Sequence, residues 1–400
     1  MDICPKFLYG GPDIPWMNPQ CVGINTLPPR THLHIYPTER EAIIAEPRDS
    51  GWFFSLDGDW KFNLFQKPAD LEPGNILPDW QDSKWESIKV PGNWMMQGYD
   101  YPHYTNVQMP FPHQPPIVPE KNPTGVYRKT FTLPKEWKNR RTVIHFGGVE
   151  SSFFLFCNGK NVGFGKDSRT PVEFDITKWI VEGENHLSIV IIRWSDGSFL
   201  EDQDHWWMAG PHRSIYLRST ESTFLEDIFP VGNLSKSFDK GRIDVEARVK
   251  FSGILELGWK VGIQVVDPYG IKVFPSRLEE EVPLAEQTRK NLGHFVSFSE
   301  KIENPELWSS EIPNLYNLLV CLICPLGKEV EWTSCKIGFR MVETRNKELL
   351  INGQPVLIQG VNRHEHDPVN GKTISRESML DDIRLMKQHN FNAVRCSHYP

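Results

Sequence analysis

The sequence predicts a mostly β protein in which two consecutive β-sandwiches are followed by one βαβ unit. Short strand-like runs alternate with turns at intervals of about 8–12 residues, which is typical of sandwiches. The composition agrees, because 12% of the 400 residues are aromatic, 14 are Trp, and 32 Pro and 29 Gly mark turns. Near residue 340 the pattern changes to strand, helix, strand, which indicates a βαβ unit.

The charge balance and the cysteine content argue against several classes of protein. Lys+Arg 44 against Asp+Glu 51 gives a formal charge of -7 without long runs of one sign, so we expect neither nucleic acid nor a membrane surface as a partner. No apolar stretch approaches the ~18 residues that span a bilayer. The first residues, MDICPKFLYGG, do not read as a signal peptide. Seven cysteines are an odd number in a long chain, which favours a reducing cytoplasm.

One cysteine pair, Cys321 and Cys324, has the C-x-x-C spacing of redox and zinc motifs. It lies in the apolar run NLLVCLICP, which reads as a buried strand. A redox pair needs a helix N-terminus to lower a thiol pKa, and a zinc site needs further ligands. We therefore interpret the pair as two packed core cysteines.

Changes in composition and pattern divide the chain into four segments. The first segment is Pro-rich and has no periodic apolar pattern, so it is predicted to lie as an arm over another surface. The others are the two sandwiches and the βαβ unit. The predicted segments are an irregular arm at 1–47, a first sandwich at 48–219, a second, immunoglobulin-like sandwich at 220–339 and an incomplete α/β domain at 340–400.

The first sandwich contains a strong hairpin signal, because Asn158-Gly159 suits the two positive φ angles of a type I′ turn. A two-residue turn there predicts three cross-strand pairs. These are Cys157 with Lys160, Leu155 with Val162, and Phe153 with Phe164.

Two further strand predictions concern the same domain. Five apolar residues occupy even-numbered positions on both sides of the turn Asp57-Gly58-Asp59, which predicts that they share one face of a hairpin. The set is Phe54, Leu56, Trp60, Phe62 and Leu64. The run HLSIVIIRW at 186–194 is dense enough in β-branched residues to be buried on both faces.

The last segment begins with a hairpin on Asn352-Gly353 and continues into a strand. The only convincing helix follows, SRESMLDDIRLMKQHN at 375–390, with Ser375 as N-cap. Then comes a second apolar strand, FNAVRCSHYP. One βαβ unit leaves strand edges and apolar faces uncovered, so we expect it not to fold alone.

Polar residues follow both strands of this unit. Asn362-Arg363-His364-Glu365-His366-Asp367 ends the first strand, and Arg395, His398 and Tyr399 end the second. Since barrel active sites lie at the carboxyl ends of the strands, the two clusters should face one cleft. His364 and His366 are either a metal pair or hydrogen-bond donors to substrate hydroxyls. Glu365 should point to the opposite face of the strand.

Two loops of the first sandwich also carry candidate binding residues. The stretch 194–207 places acids beside three Trp, and these acids either bind hydroxyls or a hard cation or form a solvated loop. The acids are Asp196, Glu201, Asp202 and Asp204. In YPHYTNVQMP at 101–110, Asn106 offers a bidentate amide.

Eight segments together resemble the large bacterial cytoplasmic β-galactosidases of glycoside hydrolase family 2. They occur in family order from about residue 50 to the last residue, and the arm around Trp16-Met-Asn-Pro19 is similar more loosely. The segments are SLDGDWKFNLF, VPGNWMMQGYDYPHYTNV, NPTGVYRKTF, CNGKNVGFGKDSR, RWSDGSFLEDQDHWW, NPELWSSEIPNLY, LLINGQPVLIQGVNRHEHDP and MKQHNFNAVRCSHYP.

The resemblance implies a jelly-roll sugar-binding domain, an immunoglobulin-like sandwich and the start of a (β/α)8 barrel. It implies that Asn106 and Asp204 contact the galactosyl group and that Asp204 is also one sodium ligand. His364 and His398 match two transition-state-stabilising histidines, and Arg395 matches an arginine that supports the site.

The resemblance further implies a retaining β-galactosidase acting on lactose-type substrates, with Mg²⁺ and Na⁺ and a tetrameric assembly. The two catalytic Glu and the remaining metal ligands lie on later barrel strands of the family. We therefore expect this chain to be an N-terminal part that is inactive alone, with its last 60 residues disordered or aggregation-prone. A carbohydrate-binding or complementing polypeptide and a relative specific for β-glucuronides or β-mannosides are the alternatives.

Overall fold

The computed structural model describes residues 6, 8, 13–44, 46–106, 108–201, 203–253, 256–288 and 292–398. Two antiparallel sandwiches are followed by a short α/β segment with one pair of parallel strands. This confirms the predicted fold class. Within the described ranges, neither helix has the length and apolar character needed to cross a membrane.

The described residues of the first sandwich and the arm form fifteen short strands. They are β1 Gly23–Ile24, β2 Phe53–Ser55, β3 Gly58–Phe65, β4 Glu86–Val90, β5 His103–Tyr104, β6 Thr124–Thr132, β7 Arg141–Phe146, β8 Val149–Glu150, β9 Ser152–Cys157, β10 Lys160–Lys166, β11 Val172–Asp175, β12 Glu184–Ile192, β13 Trp206–Trp207, β14 Gly210–Pro211 and β15 Ile215–Thr220. Two sheets form the sandwich, ordered β1-β10-β9-β12-β6-β3-β4 and β11-β7-β15-β2. The pairs β13-β5 and β14-β8 are separate ribbons at its edge.

The larger sheet is buried on both faces, which explains the run at 186–194 without polar alternation. Phe153 and Leu155 on β9 face the core between the two sheets. The alternate residues Phe154 and Phe156 pack instead into a second core on the outer face. Trp16 of the arm joins that outer core, edge to face against Phe154 with ring centroids 6.1 Å apart. These strands are apolar on both sides, since their outer side is covered by the arm and by segments of the first sandwich that contribute Leu71, Ile76 and Val118.

The arm continues from the first sandwich to the second. Its strand β1 extends the larger sheet by pairing with β10. Leu33 and Ile35 are buried in the core of the second sandwich, and Tyr36 pairs with Trp332 there. The short helix α1, Glu39–Ile44, closes the arm against the same domain.

The hairpin predicted across Asp57-Gly58-Asp59 is wrong. Strand β2 pairs with β15 and β3 pairs with β4 and β6, so the turn crosses from one sheet to the other. The shared face was nevertheless correct, since both sheets turn their apolar sides toward one core. Leu56, Trp60 and Phe62 are buried in it.

The predicted register of the Asn158-Gly159 hairpin is correct only next to the turn. Asn158 and Gly159 have φ of 50° and 72°, and Cys157 pairs with Lys160 as expected. A bulge between Asn161 and Gly163 then shifts the register by one residue. The remaining pairs are Leu155 with Gly163, Phe154 with Phe164, and Phe153 with Gly165.

The bulge places glycine where the arm approaches the sheet. A Cβ atom at Gly163 would lie 2.2 Å from the carbonyl oxygen of Ile24 in β1. Because no side chain fits at that distance, Gly163 permits the close contact between the arm and the sheet.

The second sandwich consists of two four-stranded sheets around one core. Its strands are β16 Thr223–Leu234, β17 Lys240–Phe251, β18 Lys260–Val266, β19 Leu278–Glu281, β20 Gln287–Thr288, β21 Leu292–Glu303, β22 Tyr316–Ile323 and β23 Glu329–Ile337. The sheet orders are β16-β17-β21-β20 and β19-β18-β22-β23. Cys321 is fully buried in β22, where burial raises the pKa of its thiol to about 12, and Cys324 is partly buried and also unpaired by disulfide. Cys4 lies outside the described residues.

The last segment begins with a three-stranded sheet and ends in a βαβ unit. Its elements are β24 Val342–Arg345, β25 Glu348–Ile351, β26 Gln354–Pro355, β27 Gly360–Arg363, α2 Arg376–Gln388 and β28 Ala393–Cys396. The hairpin on Asn352-Gly353 is confirmed by pairing of β25 with β26. The predicted helix and its cap are confirmed, since the Ser375 side chain accepts a hydrogen bond from the Ser378 amide. Strands β27 and β28 are parallel neighbours.

Candidate functional site

The two loops of the first sandwich that carry Asn106 and Asp204 meet in the ribbon β5-β13. Tyr104 pairs with Trp206, so Asn106 and Asp204 each lie two residues beyond the same end of this antiparallel ribbon. The Tyr104 hydroxyl donates a 2.6 Å hydrogen bond to Asp204 Oδ1. Both Asn106 and Asp204 are exposed. Tyr104 therefore orients the Asp204 carboxylate at this end of the ribbon, and Asn106 follows Tyr104 in the adjoining loop.

The polar clusters of the last segment meet at the carboxyl ends of β27 and β28. His364 follows β27 and His398 follows β28, and their rings lie 5.6 Å apart in an edge-to-face arrangement. Arg395 Nη1 donates to Asn362 Oδ1 at 3.3 Å and to Ser397 Oγ at 2.9 Å. Its Nη2 lies 3.4 Å from His398 Nδ1. Arg395 thus ties the two strand ends together and contacts one of the histidines.

His205, next to Asp204, connects these two groups of residues. Its ring lies 4.5 Å from that of His364 and 6.5 Å from that of His398, measured between centroids. Its Nε2 lies 3.2 Å from the carbonyl oxygen of Ser397. The sandwich loop and the βαβ unit therefore form one site in which three imidazoles are packed together.

Burial and nearby positive charges keep the His205 ring neutral. Its side chain is 8% exposed, and burial is the main cause that lowers its pKa to about 3. The positive charges of Arg169 and Lys372 act in the same direction. At neutral pH the ring therefore has one N–H donor and one nitrogen acceptor.

A buried ion pair fastens the βαβ unit to the first sandwich beneath this site. Lys372 Nζ lies 2.6 Å and 2.8 Å from the two carboxylate oxygens of Glu150, and both side chains are at most 5% exposed. The Lys372 amide also donates to Asn93 Oδ1 at 2.8 Å. Burial lowers the pKa of Lys372 to about 8, against the opposing effect of Glu150.

Residues 364–366 do not have the strand conformation expected for them. Strand β27 ends at Arg363, so residues 364–366 are not part of a strand and the alternation of faces does not apply to them. Glu365 does point elsewhere, because its carboxylate accepts a 3.0 Å bond from Arg213 Nη2 of the first sandwich. Tyr399 lies outside the described residues.

The acids at 194–207 do not gather at one point. Asp196 forms an ion pair with Lys166 at 2.8 Å, whereas Glu201 accepts hydrogen bonds from Ser168. Of the three acids that the structure describes, Asp204 alone reaches the candidate site. Asp202 lies outside the described residues. Over the part of the chain that the structure describes, no three His, Cys, Asp or Glu side chains converge as a metal-binding group.

Three residues of the site were not singled out from the sequence: Tyr104, His205 and Lys372. His205 directly follows Asp204 in EDQDHWW, and Tyr104 begins the YTNV motif that contains Asn106. Their positions next to candidate binding residues are the signal that could have identified them. Lys372 is in a loop with no motif, and its partner Glu150 is 222 positions away. No local signal could have paired those two.

Comparisons with family profiles give three matches in consecutive order. Residues 53–221 match glycosyl hydrolases family 2, sugar binding domain. Residues 223–340 match glycosyl hydrolases family 2, and residues 342–400 match glycosyl hydrolases family 2, TIM barrel domain. The three matches together take in most of the chain.

Curated relatives are named β-galactosidase. The protein of Vibrio cholerae serotype O1 is 43% identical over 385 residues, which are 96% of this chain and 37% of the relative. The protein of Priestia megaterium is 40% identical over 393 residues, with 96% of this chain and 37% of the relative covered. The chain thus spans little more than a third of the length of these relatives.

Solved structures with this fold include two glycosidases. Bacteroides uniformis β-glucuronidase 2 superposes with a TM-score of 0.70 at 22% identity, covering 87% of this chain and 40% of the other. Bifidobacterium dentium β-glucuronidase gives 0.71 at 19% identity, covering 87% and 57%. These identities support the fold alone. With the three profile matches and the relatives at 40–43% identity, the chain belongs to glycosyl hydrolases family 2.

Proposed function

We propose that this chain is the N-terminal part of a retaining β-galactosidase that hydrolyses terminal non-reducing β-D-galactosyl residues, as in lactose. One observation carries the proposal: the sandwich loop with Asp204 and His205 meets His364 and His398 at the ends of the parallel strands. The name β-galactosidase of relatives at 40–43% identity supports the choice of galactosides.

In this proposal the residues described here bind and orient the sugar. Asn106 and Asp204 are exposed beyond the same end of the ribbon β5-β13 and would hydrogen-bond galactosyl hydroxyls. His364 and His398 would bond hydroxyls whose interactions strengthen as positive charge develops on the sugar ring. Arg395 would hold His398 in place through Ser397 and its own contact with the ring. Catalysis follows if these bonds are stronger in the transition state than in the ground state.

The reacting carboxylates would come from later barrel strands. A retaining glycosidase uses one carboxylic acid to protonate the leaving oxygen and a second carboxylate, about 5–5.5 Å away, to form the glycosyl-enzyme. Glu365 does not suit either role, because its carboxylate is engaged by Arg213 of the sandwich. The proposal therefore assigns to this chain the substrate-binding half of the site.

For the whole enzyme we propose Mg²⁺ and Na⁺ as metals. Carboxylate oxygen is a ligand that hard cations prefer, and Asp204 is exposed at the site, so it suits the role of one Na⁺ ligand. The ion would help position the sugar beside Asp204. We also propose a cytoplasmic tetramer, for which the sequence resemblance is the support.

The proposal is tested with the complete protein that contains this chain. The coding sequence beyond the codon for Pro400 should continue in frame through barrel strands that carry two Glu. The purified protein is then assayed on p-nitrophenyl β-D-galactoside, β-D-glucuronide and β-D-mannoside, and the anomer first released is identified by NMR. We expect preference for the galactoside and release of the β anomer.

Two results would reject the proposal in different ways. Preference for the glucuronide or mannoside would reject the substrate, and release of the α anomer would reject the retaining mechanism. A stop codon directly after codon 400 would favour a carbohydrate-binding or complementing polypeptide, and galactose binding by calorimetry would then be the measurement to make.

A further inference from the structure

His205 is the one side chain that joins the sandwich part of the site to both histidines of the βαβ unit, within the described residues. Its ring is buried between them. One nitrogen contacts the backbone carbonyl of Ser397, which follows β28, and the other contacts the side chain of His364, which follows β27. It is 159 positions from His364 in the chain. A contact of this kind can control the hydrogen-bonding state of its partner, because each imidazole nitrogen is either a donor or an acceptor.

The backbone contact decides which nitrogen of His205 carries the proton. A carbonyl oxygen only accepts hydrogen bonds, and that of Ser397 lies 3.2 Å from His205 Nε2. Nε2 must therefore donate. The ring is only 8% exposed and burial disfavours its charged form, so the ring is neutral and its other nitrogen, Nδ1, is an acceptor.

The same reasoning carries through to His364. Its Nδ1 lies 3.4 Å from His205 Nδ1, and two facing nitrogens form a hydrogen bond only if one donates and one accepts. Because His205 Nδ1 accepts, His364 Nδ1 donates. In neutral His364 the nitrogen that remains for a substrate hydroxyl, Nε2, is then an acceptor.

His398 has the opposite arrangement. Its Nδ1 lies 3.4 Å from Arg395 Nη2, and a guanidinium only donates hydrogen bonds. His398 Nδ1 therefore accepts, and Nε2 of the neutral ring carries the proton. The two histidines differ in polarity toward substrate: His364 accepts from a hydroxyl, and His398 donates to one.

We propose that His205 is a positioning residue that holds His364 in the Nδ1–H tautomer, so that Nε2 of His364 accepts a hydrogen bond from a sugar hydroxyl. The inference rests on the proposed glycosidase function, since it concerns the same site. A purely space-filling His205 would be replaceable by any side chain of similar volume, whereas a positioning residue needs its acceptor nitrogen.

Three substitutions separate the two contacts of His205. His205→Asn places an amide oxygen as many bonds from Cα as Nδ1, so it keeps an acceptor for His364. His205→Gln places an amide N–H as many bonds from Cα as Nε2, so it keeps the donor for the Ser397 carbonyl. His205→Leu keeps the bulk and removes both. Each variant is made in the complete protein, and its melting temperature is recorded as a control for folding.

The measurements are kcat and KM for p-nitrophenyl β-D-galactoside, and inhibition by a galactonolactone, whose flattened ring resembles the transition state. The leucine and glutamine variants should lose ~10-fold in kcat and bind the lactone ~10-fold more weakly, with KM changed little, as expected for loss of one hydrogen-bond acceptor. The asparagine variant should remain within ~3-fold of the parent.

Each possible outcome decides the inference. An active parent whose leucine variant keeps kcat and lactone binding would overturn the positioning role, as would an asparagine variant as impaired as leucine. If leucine does not fold, the comparison of asparagine with glutamine still decides. An inactive parent would instead reject the proposed function, and it would be recognised because no variant could be ranked by kcat. The inference would then be tested alone by the tautomer of His364, read from its ring ¹⁵N shifts in the parent and in the asparagine variant.

Discussion

At the scale of single residues, the buried ion pair of Glu150 and Lys372 is the interaction near the site whose loss should affect stability most clearly. Both charged groups are removed from water, which is costly unless they remain paired. Here the pair is bidentate, and the Glu150 carboxylate also accepts a 3.3 Å bond from the Met208 amide. The βαβ unit is thereby docked at a defined place on the first sandwich.

Replacing Lys372 with Met should therefore destabilise the chain strongly. An uncompensated buried carboxylate at Glu150 typically costs about 3–5 kcal/mol. The change is measured as the shift in the urea unfolding curve, together with amide exchange in residues 360–398. The matched control is Lys372→Met combined with Glu150→Leu, which removes both charges and should recover much of the loss. Equal destabilisation by the single and double substitutions would contradict this account.

The hydrogen bond from Tyr104 to Asp204 makes a second prediction at this scale. Tyr104→Phe keeps the aromatic contact with Trp206, whose ring centroid is 5.5 Å away, and removes only the hydroxyl. The Asp204 carboxylate then loses a donor that orients it. In the complete protein we expect a several-fold rise in KM for galactosides and in the Na⁺ concentration needed for half-maximal activity. Unchanged values would mean that Asp204 is oriented without Tyr104.

At the scale of elements, helix α2 depends on its first turn. The Ser375 hydroxyl accepts a 3.1 Å bond from the Ser378 amide, which otherwise has no partner within the helix. Apolar packing contributes little along α2, because no residue between Arg376 and Gln388 is buried.

Ser375→Ala should lower the stability of this helix by about 1 kcal/mol, the usual value for losing an N-cap. The loss is detected as faster amide exchange in residues 376–388. Ser375→Asp retains an acceptor and should exchange like the parent. Slower or unchanged exchange in the alanine variant would show that the cap does not stabilise the helix.

The arm is held on the first sandwich by stacked histidines. The ring of His32 lies 4.6 Å from that of His34 and 4.7 Å from that of His145 on β7. His145 in turn stacks on Tyr216 of β15 at 4.4 Å. The charged groups around these rings are one carboxylate and two guanidiniums joined to it by ion pairs. They are Glu173 of β11, Arg30 of the arm and Arg218 of β15.

This packing makes attachment of the arm dependent on pH. Burial, followed by neighbouring His145, lowers the pKa of His32 to about 4, and burial, followed by His32, lowers the pKa of His34 to about 3. A detached histidine titrates near 6.5. Between about pH 6.5 and pH 4 the detached arm therefore binds protons that the docked arm does not, so docking is strongest above 6.5 and weakens as the pH falls.

Amide exchange in residues 13–36 tests this effect after correction for intrinsic rates. Protection should be high near pH 7.5 and should fall progressively as the pH is lowered from about 6.5 to about 4, because the detached histidines gain charge from about 6.5 downward. The variant His32→Gln/His34→Gln carries no titrating group in the arm's stack, so its protection should vary less over the same range. Equal pH dependence of the two proteins would assign the effect to other groups.

At the scale of the whole molecule, the two sandwiches and the last segment differ in how their apolar surface is covered. Each sandwich encloses a core, and the arm together with segments between strands of the first sandwich covers the outer face of the larger sheet. The βαβ unit leaves large apolar side chains exposed, each at 47% or more. They are Leu357, Ile358, Ile383, Leu385 and Val394. In a complete barrel, neighbouring strands and helices cover such faces.

The 400-residue chain alone should therefore bind a hydrophobic dye and tend to aggregate. A matched chain that ends after Arg340 keeps the buried core residue Phe339 and lacks the exposed faces. We expect it to bind less 8-anilinonaphthalene-1-sulfonate per molecule and to remain monodisperse in light scattering. Equal dye binding by the two chains would place the exposed surface elsewhere.

The same chain should not hydrolyse lactose. Loss of general acid–base help alone costs about 10²–10⁴-fold in rate, and the nucleophile is lost with it. The assay uses protein purified from a host without its own β-galactosidase and measures released glucose. Hydrolysis that copurifies with the chain through several columns would show that the reacting carboxylates are within these residues.

The sequence by itself determined what depends on neighbouring residues. Predictions that depend on residues a few positions apart were correct for strand β12, for the Asn158-Gly159 turn and for the Ser375 cap. The hairpin across Asp57-Gly58-Asp59 was wrong, because its two strands pair with distant partners. The fold class followed from these elements, and the motifs placed Asn106, Asp204, His364, Arg395 and His398 at candidate positions. Their catalytic and binding roles stay predictions.

Only the tertiary structure decided how distant elements meet. It separated Phe54 and Phe62 into different sheets and inserted the bulge at Asn161–Gly163 where the arm approaches. It also brought His205 against His364, although 159 positions lie between them. A local pattern encodes which face of an element is apolar, but not which other element covers that face. That choice depends on the packing of the whole core and on the ordering of long connections, whose entropic cost depends only weakly on their length.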